Sequence, residues 1–273
     1  MKALWLFLSL TLWLFGTQNL ELVKGQALFF IFDKKDFIAL KNNDKNIPSF
    51  QHPKDQNKIV VIFTLPYKNP PKNTKLLALY KNKKEDIFIK TLEGHYKSET
   101  LNVRQDKVFP PKNTQERILK ESKQANEIYN FYTPKALFKE TFNIPLNSAI
   151  TSDFGKARIF NQKLTSYHNG TDFKAAMKTP IYASNDGIVK IAKERYFAGN
   201  SVVIDHGFGI YSQYYHLSKI KVKTGQKVKK GELLGLSGAT GRVSGPHLHF
   251  GIIVKGTQVD PLDFITKFNT LFQ

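Results

Sequence analysis

Five of the seven histidines in this 273-residue chain fall between positions 168 and 249. They make three groupings. In HNGTD (168–172) an imidazole, His168, and a carboxylate, Asp172, stand four residues apart, and Gly170 permits a turn that would bring both onto one cation. In HLH (247–249) His247 and His249 are two apart, so in a strand both rings look into one cleft. In YYHL (214–217) His216 closes an alternating, strand-like run. Two imidazoles and one carboxylate are the donor count of a catalytic zinc site, which needs three protein ligands and an open position. They leave one net charge on the ion, enough to keep a bound water acidic. HxxxD alone arises by chance in surface loops, and HxH is more telling. Both together, with another His between them, point to one metal centre. His206, in IDHG (204–207), reads as a turn-stabilising histidine instead. His52 and His95, each alone in polar surroundings, read as surface groups.

These side chains need strands to hold them. From Ile150 onwards short apolar runs separated by Gly-rich breaks (181–183, 187–191, 201–204, 209–214, 233–236, 247–252) predict a β domain. Between Glu21 and Val103 the runs at 27–32, 59–63, 76–80 and 87–89 are strand-length and rich in β-branched and aromatic residues. Polar stretches 41–58 and 66–75 connect them as loops, which predicts a small β-sandwich or barrel. After Pro110 and Pro111, NTQE (113–116) reads as a helix N-cap with an acid three residues on. Ile118, Ser122, Ala125, Tyr129 and Tyr132 then recur at helical spacing until Thr133 and Pro134 end the run. This helix joins the halves, either as a packing element or as a hinge that sets how the first domain lies over the second.

The chain carries 41 Lys and Arg against 22 Asp and Glu, net +19, and no Cys. Without Cys there is no disulfide framework, thiolate zinc site, iron–sulfur cluster or cysteine nucleophile. The charge is spread evenly over both halves with no long basic block, and the aromatic–basic–glycine signature of an RNA-reading strand is missing. No nucleic-acid partner is expected. A diffuse positive field suits an anionic polymer or membrane surface. At the N-terminus Met1 and Lys2 precede thirteen uncharged residues, ALWLFLSLTLWLF (3–15). That reads as an export signal, too short for the roughly 20 apolar residues that span a bilayer. GTQ (16–18) is a poor cleavage site, so an uncleaved inner-membrane anchor through residues 3–15 stands beside a cleaved leader. The expected organisation is a leader or anchor at 1–18, a small β domain at 19–105, a linker with its helix at 106–135, the histidine-bearing domain at 136–265 and a tail at 266–273.

The ordered segments TSDFG (151–155), YHNGTDF (167–173), IDHG (204–207), YYHL (214–217), VKKG (228–231), GATG (238–241) and GPHLHF (245–250) resemble the M23 (LytM/lysostaphin-type) zinc metallopeptidases over about residues 136–265. The layout, a short β domain and a helix ahead of the peptidase, is similar to the cell-shape-determining peptidoglycan endopeptidases of ε-proteobacteria. The resemblance implies a mostly β protein with a C-terminal antiparallel-sheet cleft of LytM type. It implies one Zn²⁺ on His168, Asp172 and His249, with His216 and His247 as catalytic non-ligands. It further implies a periplasmic enzyme acting on the peptidoglycan sacculus. Its bond would be the D-Ala–diaminopimelate cross-link, as a D,D-endopeptidase, with D,D-carboxypeptidase trimming open to the same zinc and cell-shape proteins as partners. The alternative is a non-catalytic relative that activates peptidoglycan amidases, which has no need of an intact ligand set. Relatives are often latent, so loops 41–58 and 66–75 and the helix at 113–131 are expected as a cover over the cleft, with a first domain that simply binds wall polymer or a partner as the equal alternative.

Overall fold

The computed structural model describes residues 18–162 and 164–273. The leader-like run 3–15 lies outside the described residues, among which no helix is long and apolar enough to cross a membrane. Apolar runs in the first hundred residues become β1 (Gln18–Val23), β2 (Ala27–Asp33), β3 (Phe37–Asn42), β4 (Lys45–Ile47), β5 (Ser49–Gln51), β6 (Lys58–Thr64), β7 (Asn73–Tyr80) and β8 (Lys84–Leu92). A five-stranded sheet, β1-β8-β7-β3-β4, faces a three-stranded one, β2-β6-β5. The expected loops 41–58 and 66–75 thus contain β4, β5 and the start of β7, because their short polar strands complete sheets whose apolar partners bury the backbone.

Along β6 side chains alternate, and both faces are buried. Val61 and Phe63 join Leu40, Leu76, Ile87 and Ile89 in the core of the small β unit. Val60 and Ile62 point the other way, into a core shared with Phe138, Phe264 and Phe268. Phe29 packs on Phe264 at 5.5 Å and Phe50 stacks on Phe208 at 4.6 Å. Lys255, its ammonium pushed down to about 8 by burial, donates to the Ile62 carbonyl at 3.0 Å across the same seam.

The chain then forms β9 (Ser98–Leu101), α1 (Gln105–Val108) and α2 (Lys112–Asn130). Pro111, not Asn113, precedes the first turn of α2, and no side chain caps it. The Thr114 hydroxyl instead donates to the Pro111 carbonyl at 2.7 Å. Only Ala125 and Tyr129 of its nineteen residues are buried.

Strands β10 (Ile150–Ser152), β11 (Ala157–Phe160), β12 (Leu164–Tyr167), β13 (Thr171–Lys174), β14 (Pro180–Tyr182), β15 (Gly187–Arg195), β16 (Gly199–Asp205), β17 (Ile210–Leu217), β18 (Lys219–Ile220), β19 (Lys227–Val228), β20 (Leu233–Leu236), β21 (His247–Val254) and β22 (Thr257–Val259) follow. The main sheet runs β10-β13-β21-β17-β16-β15-β19, with β22 beside β21, and its pairings are antiparallel. Small sheets β12-β11-β9 and β14-β20-β18 flank it. One face of the main sheet (Val202, Ile204, Tyr214, Phe250, Ile252) packs on α3 (Pro261–Asn269) and the small β unit. The opposite face (Val203, Tyr211, Tyr215, Ile253) meets α2 through Ala125, Ile128 and Tyr129.

Residues 266–273, expected as a tail, continue α3 and a short 3-10 turn, with Phe268 and Leu271 buried. Asp260 caps this helix, accepting from the N–H groups of Leu262 and Asp263, and Pro261 occupies its first turn. The protein is mostly β, as the alternating pattern implied.

Because Ile62 sits in the shared core, Ile62→Ala is expected to cost about 2–5 kcal/mol. It should lower the midpoint of one cooperative unfolding transition. Two separate transitions in calorimetry, with only one shifted, would mean that the two halves do not share a core.

Candidate metal centre

Asp172 on β13 lies directly opposite His249 on β21 in the antiparallel register. His168 enters from the loop between β12 and β13. A β-carbon at Gly170 would clash with the Phe250 carbonyl and come within 2.6 Å of His249 Nε2, so only glycine lets this turn approach the strand. His168 Nε2, Asp172 Oδ1 and His249 Nδ1 are each 2.9 Å from the other two. All three side chains are buried.

The neighbouring hydrogen bonds fix which atoms carry lone pairs. His168 Nδ1 lies 2.8 Å from the Asp153 carbonyl, which can only accept, so Nδ1 holds the ring proton and Nε2 turns a lone pair inward. The inward-facing atoms of a carboxylate and two imidazoles repel one another unless a cation or proton sits between them. This donor set therefore fits a divalent metal with N/O preference such as zinc. Burial by itself would raise the Asp172 carboxyl, but the His168 and His249 rings beside it hold it well below the usual carboxylate range. Burial pushes His249 down to about 4, which keeps that ring neutral and available as a ligand.

His216 and His247 stand beside the cluster with ring centres 4.8 Å apart. His216 Nδ1 is 2.8 Å from the Thr240 carbonyl, and His247 Nδ1 is 2.9 Å from the Gly245 carbonyl. Both rings therefore hold a proton on Nδ1, and His247 turns Nε2 toward the centre, 3.7 Å from Asp172 Oδ1, with the His216 ring 5.9 Å from that of His249. Burial, reinforced by the neighbouring imidazoles His247 and His249, lowers His216 well below its ordinary value. His216 also has φ +65°, a left-handed conformation uncommon for a side-chain-bearing residue, of the kind that concentrates at functional sites.

His206 stays outside the cluster. It is buried at a turn, its Nδ1 at 2.7 Å from the Asp186 carbonyl and its Nε2 at 2.7 Å from Ser212 Oγ. His52 Nδ1 accepts backbone N–H groups of its own loop.

Sequence reasoning missed the groups that hold Asp172 from behind. Arg158 on β11 donates to Asp172 Oδ2 at 2.5 Å and to Ser152 Oγ at 3.1 Å. Glu99, on β9, accepts from Arg158 Nε at 2.6 Å and from Ser152 Oγ at 2.8 Å. β9 reaches the site because it pairs in parallel with β11, placing Glu99 opposite Arg158. Arg158 lies three residues beyond TSDFG and could have been suspected. Nothing local marks Glu99, 59 positions before its partner.

Residues 166–261 match peptidase family M23. They form an M23 peptidase domain. The domain is similar to the peptidoglycan DD-endopeptidase ShyA of Vibrio cholerae, 49% identical over 114 residues, which is 41% of this chain and 26% of that protein. It is also similar to ShyC of the same organism, 38% identical over 138 residues, covering 48% and 31% of the two chains. A third relative is the DD-carboxypeptidase/endopeptidase Mpg of Neisseria gonorrhoeae, 39% identical over 95 residues, covering 35% and 22%. The chain thus spans less than a third of each of these relatives. A crystal structure from Pseudomonas aeruginosa, described as an M23 peptidase, superposes with TM-score 0.68 at 25% identity and covers 89% of this chain and 94% of that one. That likeness takes in the small β unit as well as the M23 domain.

Removing the groups behind a metal-binding carboxylate typically weakens metal binding 10–100-fold. Arg158→Ala is expected to lower zinc affinity by about that factor, read by competition with a chromogenic chelator. Unchanged affinity would confine Arg158 to a structural part.

Proposed function

We propose that this protein is a zinc-dependent peptidoglycan hydrolase that cuts peptide cross-links, with the D-Ala–diaminopimelate bond as its substrate. The carrying observation is the convergence of His168 Nε2, Asp172 Oδ1 and His249 Nδ1, with two further imidazoles presenting free Nε2 atoms beside them, within an M23 domain. The names of the relatives, DD-endopeptidase and DD-carboxypeptidase/endopeptidase, support both the bond and a trimming activity at the same centre. Export through residues 1–18 and action in the periplasm agree with such a substrate, as does the positive field toward an anionic sacculus. Cell-shape proteins and the inner membrane are its proposed surroundings.

His168, Asp172 and His249 would hold the ion. Zinc, when bound, supplies Lewis-acid polarisation of the scissile carbonyl and an acidified water. The remaining work falls to protein groups. Asp172 offers Oδ1 alone, since Arg158 occupies Oδ2. His216 and His247 each hold a proton on Nδ1, so Nε2 of either ring can accept a proton from the attacking water. The resulting imidazolium can hold the developing oxyanion or hand the proton to the departing amine. The carbonyls of Thr240 and Gly245 keep both rings aimed.

The cover anticipated over the cleft is assigned to α2. Phe50, in the stretch 41–58, packs against Phe138 and Phe208 on the face away from the metal centre. Tyr67, in the stretch 66–75, stacks on Tyr167 at the flank. Helix α2 lies on the His249 face, where the Tyr129 hydroxyl meets that of Tyr215 at 3.1 Å and the Tyr215 ring stacks on His249. Deleting everything up to residue 134 would remove β9, Glu99 and the Ala27, Phe50, Val60 and Ile62 side of the shared core, so truncation is a poor test of latency. Tyr129→Phe removes one hydrogen bond, worth about 1 kcal/mol, and is expected to raise kcat/KM about fivefold if α2 must lift. An unchanged value would leave α2 as a packing element.

The deciding experiment incubates protein from residue 19 onward with cross-linked diaminopimelate-type sacculi, with zinc and with a chelator, and reads muropeptides by mass spectrometry. Dimers should give way to monomers, and the chelator should block this. His216→Ala or His247→Ala is expected to cut turnover by about 10²-fold or more with zinc retained. His168→Ala or Asp172→Ala should lose the metal. A zinc-loaded but inert protein would favour the amidase-activator reading.

A further inference from the structure

Helix α2 hides an unusual pair of side chains. Arg195, at the end of β15, is only 7% exposed and makes no ion pair among the described residues. Its Nε donates to Ser201 Oγ at 2.8 Å, its guanidinium lies 4.7 Å from the Tyr215 ring centre and interacts with the Tyr215 and Tyr129 hydroxyls, and Nη2 has no hydrogen-bond partner among the described residues. Gln213, on the same face of β17 as Tyr215, is fully buried with both Oε1 and Nε2 unpartnered. A buried guanidinium is costly unless an anion pairs with it, and an unpaired buried amide adds to that cost. Such groups are retained where a ligand completes them.

Their position says which ligand. Asp172, His249 and Tyr215 follow one another across the sheet by strand register. On the neighbouring strands Ser201 lies opposite Lys193, and Arg195, two residues further along β15, reaches back to Ser201 with its side chain. Tyr215 stacks on His249 at 5.2 Å on one side and meets the Arg195 guanidinium on the other. The free Nη2 therefore lies one aromatic ring away from a proposed zinc ligand. A peptide residue in extended form advances about 3.3–3.6 Å, so this gap suits a group a residue or two from the scissile bond.

The lid over this site is lightly fastened. Only Ala125 and Tyr129 of α2 are buried, and its ties to the sheet are the exposed Arg117–Glu194 ion pair and Lys193–Gln124 contact, the Tyr196 N–H donated to Glu121 Oε2 at 2.8 Å and the Tyr129–Tyr215 hydroxyl pair. Few buried contacts and exposed polar ties mark an element that opens at low cost.

We infer that Arg195 is a substrate-carboxylate subsite beneath helix α2, completed when the helix lifts and an acidic arm of the cross-linked peptide pairs with the guanidinium. This rests on the proposed peptidase activity at the adjacent centre. Gln213 supplies a donor and an acceptor for the main chain of the same peptide.

The test compares a cross-linked tetrapeptide dimer with the same dimer whose free diaminopimelate carboxylates are amidated. Arg195→Gln is expected to raise KM for the acid dimer about 10- to 100-fold, the loss of one charge-assisted hydrogen bond. Its kcat and zinc content should hold, kinetics on the amidated dimer should not change, and Arg195→Lys should recover part of the loss. An equal loss on both dimers would make Arg195 a structural residue and overturn the subsite. Calorimetry with zinc-loaded, full-length His247→Ala separates the subsite from the reaction. Tighter binding of the acid dimer, abolished by Arg195→Gln in that background, supports the subsite even if the wild type cuts neither dimer, in which case the peptidase reading alone fails. No preference for the acid dimer overturns the subsite. Gln124→Cys with Lys193→Cys, bridged by a reducible bis-maleimide in this cysteine-free chain, should block acid-dimer binding until reduced. Binding undiminished by the bridge would place the carboxylate elsewhere.

Discussion

The buried carboxylate of Asp172 is the constraint around which the structure is arranged. An ionised carboxylate inside a protein is tolerated only when its oxygens are paired and hydrogen-bonded. Here Oδ1 faces His168 and His249, while Oδ2 is taken by Arg158, itself held by Glu99. Each of these partners comes from a different segment, so the site exists only when the β13–β21 pairing, the Gly170 turn and the β9–β11 pairing have all formed. A metal among these atoms replaces their mutual repulsion with coordination, and metal binding and folding are coupled for that reason.

The small β unit belongs to this arrangement rather than standing apart from it. Its three-stranded sheet is buried on both faces, with Val61 and Phe63 inside the unit and Val60 and Ile62 against α3. The chain leaving it supplies β9 and thereby Glu99. Residues well outside the M23 segment at 166–261 thus complete the surroundings of the Asp172 carboxylate.

The two faces of the main sheet divide the labour. One is a conventional apolar core against α3. The other carries the His249–Tyr215–Arg195 row and is roofed by a helix with two buried residues. This second face mixes imidazoles, phenols, a buried guanidinium without an ion pair among the described residues and a buried amide, the polar groups on which the proposed peptide subsite rests.

The sequence by itself determined the β character of the chain, the connecting helix and the five side chains that gather at the candidate centre, because alternation, helical spacing and motif order are local properties of the chain. His168, Asp172 and His249 do converge, and His216 and His247 do stand beside them. Only the tertiary structure decided which nitrogen each ring presents, since the carbonyls of Asp153, Thr240 and Gly245 that set them arrive through loop geometry. The same holds for Glu99 and Arg158, joined across 59 positions by a parallel strand pair that leaves no mark in composition or periodicity. The residues expected as a C-terminal tail are helix and core, because Phe268 and Leu271 find their partners in Phe138 and Phe142 on a distant segment. Long-range pairing and burial are collective outcomes, and no local pattern encodes which of many apolar or charged residues will meet.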